Sequence, residues 1–152
     1  MGTLDYDSLH QALQRRTGPS HWLPISQADI QAFADLTNDH NYLHVDAERA
    51  ARGPFGKTVA HGFLTLSLLG ELWSDLQRNE PIVATELNYG FDKIRFIAPV
   101  PSDTEIRGVF RLIGLVEKNG IYVAKMTVEV ECRETKKTVI FAEWLLGFSP
   151  ST

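Results

Sequence analysis

His61-Gly62-Phe63-Leu64-Thr65-Leu66-Ser67-Leu68-Leu69-Gly70-Glu71-Leu72-Trp73-Ser74-Asp75-Leu76-Gln77 is the stretch of sequence that decides the fold. Apolar residues occupy nearly every side of a helix drawn through it, until Glu71 and Asp75 appear. A helix that is apolar all round belongs inside a core. Asn79 and Pro81 are typical of a helix end. The sequence therefore predicts a long central helix that the rest of the chain has to cover.

After this helix the apolar period changes from 3.6 residues to 2, which indicates strands. The change of phase at Asp92-Lys93 is typical of a β-bulge, and Asn119-Gly120 is typical of a two-residue hairpin turn. Four strands are predicted, at residues 87–96, 104–116, 122–132 and 139–148. Helices followed by two successive hairpins predict an α+β fold, in which an antiparallel sheet wraps around the central helix.

Upstream of the central helix, Ser26 and Asp29 have the spacing of a capping box. A helix is predicted from about Gln27 to Leu36, and Asn38, which tolerates left-handed geometry, is expected to end it. Asp39 then lies in the loop just beyond the helix. The segment from residue 39 to 58 is predicted to be ordered but irregular, with Asp46 capping a short turn.

Length and composition favour one soluble globular domain over residues 1–152. Apolar residues make up 43% of the chain and charged residues 22%. The net charge is −4 and the 15 Lys and Arg residues are scattered, so no nucleic-acid partner is expected. No segment reaches the roughly 18 apolar residues of a membrane span. A single cysteine, Cys132, excludes an intrachain disulfide and a thiolate zinc site, and it fits a cytoplasmic location.

The stretch Asp39-His40-Asn41-Tyr42-Leu43-His44, followed by His61-Gly62 at the start of the central helix, is the candidate active site. A carboxylate and an imidazole can together hold and polarise one water molecule. A free backbone N–H at a helix start can receive a developing negative oxygen. The alternative is that Asp39 is only a turn residue after a helix, but Asn41 and the His61-Gly62 helix start favour catalysis.

The chain resembles the MaoC-like (R)-specific enoyl-CoA hydratase family, and within it the short NodN-like members with a single hot-dog domain. The resemblance covers about a third of the chain, within residues 33–69 and 88–101. The segments that carry it are Phe33-Ala34-Asp35-Leu36-Thr37-Asn38-Asp39-His40-Asn41-Tyr42-Leu43-His44-Val45-Asp46, Gly53-Pro54-Phe55-Gly56, Ala60-His61-Gly62-Phe63-Leu64-Thr65-Leu66, Asn88-Tyr89-Gly90, Lys93-Ile94-Arg95-Phe96 and Pro99-Val100-Pro101.

The resemblance implies a role for individual residues of this chain. Asp39 and His44 match the catalytic dyad that binds the reacting water, and Gly62 matches the residue whose N–H receives the thioester oxygen. Which member of the dyad is the working base stays open. Asn41 matches a residue that shapes the loop, and Tyr42 stands where the family has Pro, which adds bulk beside the acyl path.

Two further residues complete the expected substrate-binding set. His61 is expected to cap or pack near the helix start rather than to transfer protons. Arg95, with Lys93 and Arg111, is a candidate for contacting the phosphates of coenzyme A, and the alternative is that these residues are solvated strand faces.

The activity implied by the resemblance is the reversible hydration of a trans-2-enoyl thioester to the (R)-3-hydroxyacyl thioester. The enzyme would be a hydro-lyase and a homodimer, acting on acyl-CoA or acyl carrier thioesters, with no cofactor apart from the coenzyme A of the substrate. A thioesterase of the same fold and a non-catalytic acyl-thioester binding module are the alternatives.

No metal site is predicted. His40 and His44 have the i, i+4 spacing of a helical zinc pair, but Asn38 and Asn41 favour a loop, and the sequence offers no obvious third ligand.

Overall fold

Six strands form a single sheet in the computed structural model, which describes residues 4–150. Every pairing is antiparallel, and the strand order is β1-β4-β5-β6-β3, with β2 also paired to β4. The predicted domain limits, residues 1 and 152, lie outside the described residues. The strands are β1 Gly18–Pro19, β2 Leu23–Ile25, β3 Thr85–Phe96, β4 Thr104–Lys118, β5 Ile121–Cys132 and β6 Lys137–Ser149.

The two predicted hairpins are confirmed. Asn119 and Gly120 both have positive φ, at 53° and 79°, and turn β4 into β5 with Lys118 opposite Ile121. β5 then pairs with β6, and β6 pairs with β3 rather than ending the sheet. The predicted bulge in β3 is found between Phe91 and Lys93, and a second irregularity lies between Asn88 and Gly90. The bulges bend the strand around the helices.

Six helices accompany the sheet within residues 4–150, and the predicted central helix is divided into two. α5 ends before Leu68 and α6 begins after it, so the chain from 62 to 77 is not one continuous helix. Its surface is also not buried all round, because Phe63 is 68% exposed. The helices are α1 Tyr6–Arg15, α2 Gln27–Thr37, α3 Tyr42–Val45, α4 Ala47–Ala51, α5 Gly62–Ser67 and α6 Leu69–Gln77.

The core lies between α5–α6 and one face of the sheet. Trp73 on α6 is buried against Phe110 on β4, with ring centroids 5.4 Å apart. Met126, Val128 and Val130 on β5 face the same core, as the predicted alternation requires. Cys132 is buried at the end of this row. The apolar alternation of the strands therefore did predict which face meets the helices.

The N-terminal elements were not predicted. α1 begins after Asp5, whose side chain accepts a hydrogen bond from the Ser8 N–H, and it buries Leu9 and Leu13. β1 and β2 are too short to show an alternating apolar pattern in the sequence. They are recognised as strands because they pair with β4. None of the described helices is long and apolar enough to cross a membrane.

Candidate active site

The end of α2 places Asp39, as the sequence predicts. The capping box is present, since the Asp29 carboxylate accepts from the Ser26 N–H at 2.8 Å and the Asp29 N–H donates to Ser26 Oγ at 3.2 Å. The hydrogen bonds from Ser26 lower the pKa of Asp29. At the other end of the helix Asn38 is left-handed, with φ of 62°, and the Asp39 N–H donates to the Ala34 carbonyl at 3.1 Å. The Asp39 side chain is 56% exposed.

His44 lies on a one-turn helix rather than in the loop expected from the sequence. Asn41 caps this helix, because its Oδ1 accepts from the Leu43 N–H at 3.1 Å. His44 Nδ1 lies 2.7 Å from the Val59 carbonyl oxygen. A carbonyl only accepts, so Nδ1 is the nitrogen that carries the proton, and Nε2 presents its lone pair. The local cap and this long-range bond together orient the imidazole.

His61 is the third member of the cluster and is 3% exposed. Its ring stacks on His44, with centroids 3.7 Å apart and an angle of 26° between the planes. Its Nε2 lies 3.0 Å from the Asp39 carbonyl oxygen, and the Phe33 ring packs nearby with centroids 5.0 Å apart. The Asp39 carboxylate and one ring nitrogen of each histidine lie within 4.8 Å of one another. The structure therefore brings together Asp39, His44 and His61.

Gly62 is the first residue of α5, and its N–H has no acceptor within the helix. It lines a cavity of about 270 Å³ with Phe55, Thr65 and Phe96 among its walls, and neither Asp39 nor His44 lines this cavity. A Cβ at position 62 would lie 2.9 Å from Phe96 Cδ1, so glycine is what allows the phenyl ring to pack on the helix start. His61, which contacts both Asp39 and His44, directly precedes Gly62 in the chain.

The remaining predicted site residues lie around this cluster. Tyr42 packs beneath the Arg49 guanidinium, whose carbon is 4.0 Å from the ring centroid. Arg95 is exposed on β3, directly before Phe96. Lys93 and Arg111 are also exposed, on β3 and β4. Within residues 4–150, none of these three cations forms an ion pair with Asp39.

His40 is turned away from the dyad. Its Nε2 lies 2.8 Å from Asp35 Oδ1, and this hydrogen bond lowers the pKa of Asp35. The pairing of His40 with His44 that a helical zinc site would need is therefore not formed. The bond to Asp35 makes His40 a useful control residue, because it belongs to the same loop without touching the reacting groups.

The third potential metal ligand that the sequence did not reveal is His61. The oxygen and nitrogen atoms of Asp39, His44 and His61 are close enough to be considered as a metal-ligand set. However, lone pairs of imidazole lie in the ring plane, and the two planes are tilted by only 26° at a separation of 3.7 Å. An ion bound by both rings would have to lie close to both ring planes. These planes meet at a distance from the rings that is much longer than a metal–nitrogen bond of about 2.1 Å. The stacking therefore disfavours a shared ion.

A second and larger cavity, of about 730 Å³, lies between α5–α6 and the strands β3 and β6. Leu66, Leu69 and Gly70 line its helix side, while Phe91 and Trp144 line its sheet side. Trp144 Nε1 donates to Asn88 Oδ1 at 2.8 Å, which fixes the indole ring. Gly62 and Thr65 of the smaller cavity and Leu66 and Leu69 of the larger one follow each other along the helices at helical spacing.

Sequence reasoning missed two groups that shape the site. The Val59 carbonyl that orients His44 belongs to the backbone, so no residue type could have indicated it. The ring of Phe33 on α2 packs against His61, a contact that its place in the sequence does not indicate.

Comparisons with known proteins agree with this architecture. The model of a protein family described as the MaoC like domain matches residues 8–137. The 3-hydroxyacyl-thioester dehydratase Z of Mycobacterium tuberculosis is 40% identical over 141 residues, covering 92% of this chain and 93% of that protein. Nodulation protein N of Rhizobium meliloti is 35% identical over 147 residues, covering 95% of this chain and 91% of that protein.

Among solved structures, the (R)-hydratase from A. caviae involved in PHA biosynthesis is 25% identical, with a TM-score of 0.67. The match covers 89% of this chain and 96% of that chain. This likeness confirms the α+β hot-dog fold predicted from the sequence.

Proposed function

Because this chain belongs to the family of MaoC-like domains, we propose that it catalyses the (R)-specific, reversible hydration of trans-2-enoyl thioesters to (R)-3-hydroxyacyl thioesters. The observation that carries the proposal is the convergence of the Asp39 carboxylate and the His44 ring. The names of the relatives support it, since one is a 3-hydroxyacyl-thioester dehydratase and a solved structure is an (R)-hydratase. The enzyme is then a hydro-lyase.

In the proposed reaction one water molecule lies between the Asp39 carboxylate and His44 Nε2. The water gives up one proton to the dyad as its oxygen adds to C3 of the enoyl group, and negative charge accumulates on the thioester oxygen. The dyad then delivers a proton to C2, so that one water molecule is added in total. Nε2 of His44 is suited to this exchange because its lone pair is free and its Nδ1–H is held by the Val59 carbonyl. In this proposal the dyad both takes up and delivers the proton, without a metal or redox group.

The N–H of Gly62 is proposed to receive the thioester oxygen. A hydrogen-bond donor fixed in advance at the position of developing charge lowers the barrier more than a mobile one. In one chain Gly62 lines a cavity that the dyad does not reach. The substrate is therefore proposed to bridge the dyad and the Gly62 cavity along the surface of the protein.

A second copy of the chain is proposed to close that surface. β3 is an edge strand, since it pairs only with β6 in the described sheet. It exposes Leu87, Tyr89 and Phe96 by 49%, 44% and 50%, an arrangement that favours joining to a second strand. A homodimer formed through this edge would place the two cavities beside the interface, where an acyl chain of an acyl-CoA or acyl carrier thioester can lie.

The dimer is tested by analytical ultracentrifugation of a variant with a charge on this edge. Leu87→Lys is expected to shift the protein toward monomer and to lower activity with it, because a buried lysine without a partner opposes association. Ile113→Lys is the matched control, since Ile113 is also an exposed apolar residue but lies on β4. A wild-type protein that sediments as a monomer would contradict the dimer.

The activity is tested with a series of enoyl-CoA substrates and chiral analysis of the 3-hydroxy product. Asp39→Asn and His44→Ala are each expected to lower kcat by on the order of a hundredfold or more, since each removes a group that handles protons. His40→Ala is the matched control and should leave kcat unchanged, because the ring of His40 bonds to Asp35 and to no other side chain among residues 4–150. Circular dichroism checks that all three variants fold.

Two outcomes would replace the proposed reaction by another. Release of free thiol with consumption of the thioester would indicate a thioesterase. Tight binding of acyl-CoA without turnover would indicate a binding module. Wild-type rates in both Asp39→Asn and His44→Ala would refute the assignment of the dyad.

A further inference from the structure

His61 is a buried imidazole that the proposed reaction does not use. It is 3% exposed, so it lies beneath the dyad rather than at the surface where a substrate would arrive. It nevertheless contacts both members of the dyad, Asp39 through a main-chain hydrogen bond and His44 through ring stacking. We infer that His61 is a positioning residue that holds Asp39 and His44 at a working separation, an inference that rests on the proposed function.

The hydrogen bond to Asp39 determines which nitrogen of His61 carries the proton. Nε2 lies 3.0 Å from the Asp39 carbonyl oxygen, which can only accept, so Nε2 is the donor. Nδ1 is buried and has no hydrogen-bond partner in the described structure. A buried nitrogen without a partner is unfavourable, so stability alone does not explain why a histidine is buried at position 61. The hydrogen bond to Asp39 holds the His61 ring in one tautomer, with its Nε2–H directed at the loop that carries Asp39.

Neither member of the dyad lies within a strand or a long helix. Asp39 follows the last turn of α2, and its side chain is 56% exposed. His44 belongs to α3, a helix of four residues that is too short to be stable by itself. His61 instead immediately precedes Gly62 and α5, which packs on the sheet. The His61 side chain therefore contacts both dyad residues and joins them to the start of a helix that packs on the sheet.

The ring stack and the hydrogen bond make separate contributions that two variants can distinguish. His61→Phe keeps an aromatic ring against His44 but loses the donor to the Asp39 carbonyl. His61→Gln keeps an N–H at a similar reach but loses the stack. We assign the larger effect to the donor, because it bonds to the main chain of Asp39, whereas His44 is also held by the Val59 carbonyl.

The experiment measures kcat and KM of both variants with an enoyl-CoA substrate. His61→Phe is expected to lower kcat by roughly tenfold to a hundredfold with KM changed less than about threefold, as a small misplacement of reacting groups does. His61→Gln should recover kcat to within about fivefold of the wild type by restoring the donor. If His61→Phe does not fold, His61→Leu serves as the variant without a donor.

A double-mutant cycle separates positioning from a merely structural role. If His61 acts through Asp39, His61→Phe has little further effect on kcat when Asp39 is already Asn. A structural defect would instead lower kcat by the same factor in both backgrounds. Equal factors, wild-type kcat in His61→Phe, or no recovery in His61→Gln would each overturn the inference.

These results also distinguish the inference from the proposed function. Full activity of Asp39→Asn and His44→Ala would remove the proposed function itself. Inactive dyad variants together with a wild-type His61→Phe would remove only the positioning role.

Discussion

The close packing of Phe110 on Gly108 provides a quantitative test of the core. Both residues face the helices from β4, and a methyl group added at Gly108 would lie 2.5 Å from Cε2 and 2.8 Å from Cζ of Phe110. It would also lie 3.4 Å from the Cβ of Leu72 on α6. Carbon atoms normally approach to about 3.5–4.0 Å, so the ring would have to move by roughly 1 Å. Phe110 is fully buried, which leaves it no open space to move into.

Gly108→Ala is therefore expected to destabilise the protein. Overpacking of a core costs about 1–3 kcal/mol, and the lower entropy of the unfolded chain offsets part of it, which leaves a net loss of about 1–2 kcal/mol. For a chain of this length that loss corresponds to a decrease in Tm of about 2–8 °C. Urea unfolding followed by circular dichroism, together with a thermal melt, measures both quantities.

Gly114→Ala on the same strand is the matched control. A Cβ at Gly114 would meet only the Lys125 Cβ, at 3.9 Å, which is an ordinary contact. Its free energy of unfolding should stay within about 0.5 kcal/mol of the wild type. Equal stability of Gly108→Ala and Gly114→Ala would refute the packing of Phe110 described here. A smaller effect of Gly108→Ala in a Phe110→Leu background would support it, because the two changes share one contact.

Three further predictions concern the helix cap, the reaction and the cysteine. Ser26→Ala should lower the free energy of unfolding by about 1 kcal/mol at pH 7. The hydrogen bonds of Ser26 lower the pKa of Asp29 in the folded state, so the part of the stabilisation that comes from the ionised carboxylate is complete above the unfolded value of about 3.9. This part is lost as the pH falls through the folded pKa of Asp29. In urea unfolding, the difference in free energy of unfolding between wild type and Ser26→Ala should therefore be smaller at pH 3 than at pH 7. Treatment with EDTA should leave kcat/KM for enoyl-CoA unchanged, and a loss that zinc restores would contradict a metal-free dyad. Cys132 is 1% exposed and should react with a thiol reagent only in denaturant, so rapid labelling of the native protein would contradict its burial.

Local chemistry made much of the α2 region and the sheet predictable. The Ser26 cap, the left-handed Asn38 and the Asn119-Gly120 turn each depend on a few neighbouring residues, and each is found as expected. The alternation along β5 likewise indicated its buried face. In these cases the side chain forms the deciding contact with its own backbone or occupies a fixed face of its own strand.

Contacts between distant segments were not predictable in the same way. The pairing of β3 with β6 and the break at Leu68 have no signal within a few residues of either position. The exposed ring of Phe63 also shows that an apolar helix need not be covered by its own chain. Each of these features depends on the total burial and hydrogen bonding of the folded chain, which one segment does not contain.

The same distinction between local signals and long-range contacts applies to the candidate site. The sequence by itself determined which groups are present, namely the carboxylate of Asp39, the imidazole of His44 and the glycine that starts α5, because residue type and spacing are local properties. Only the tertiary structure decided that His61 lies beneath the dyad, that the Val59 carbonyl orients His44, and that Gly62 lines a cavity whose walls include neither Asp39 nor His44. The physical reason is that orientation in a site depends on long-range packing and hydrogen bonds, whereas the chemical groups are carried by the residues themselves.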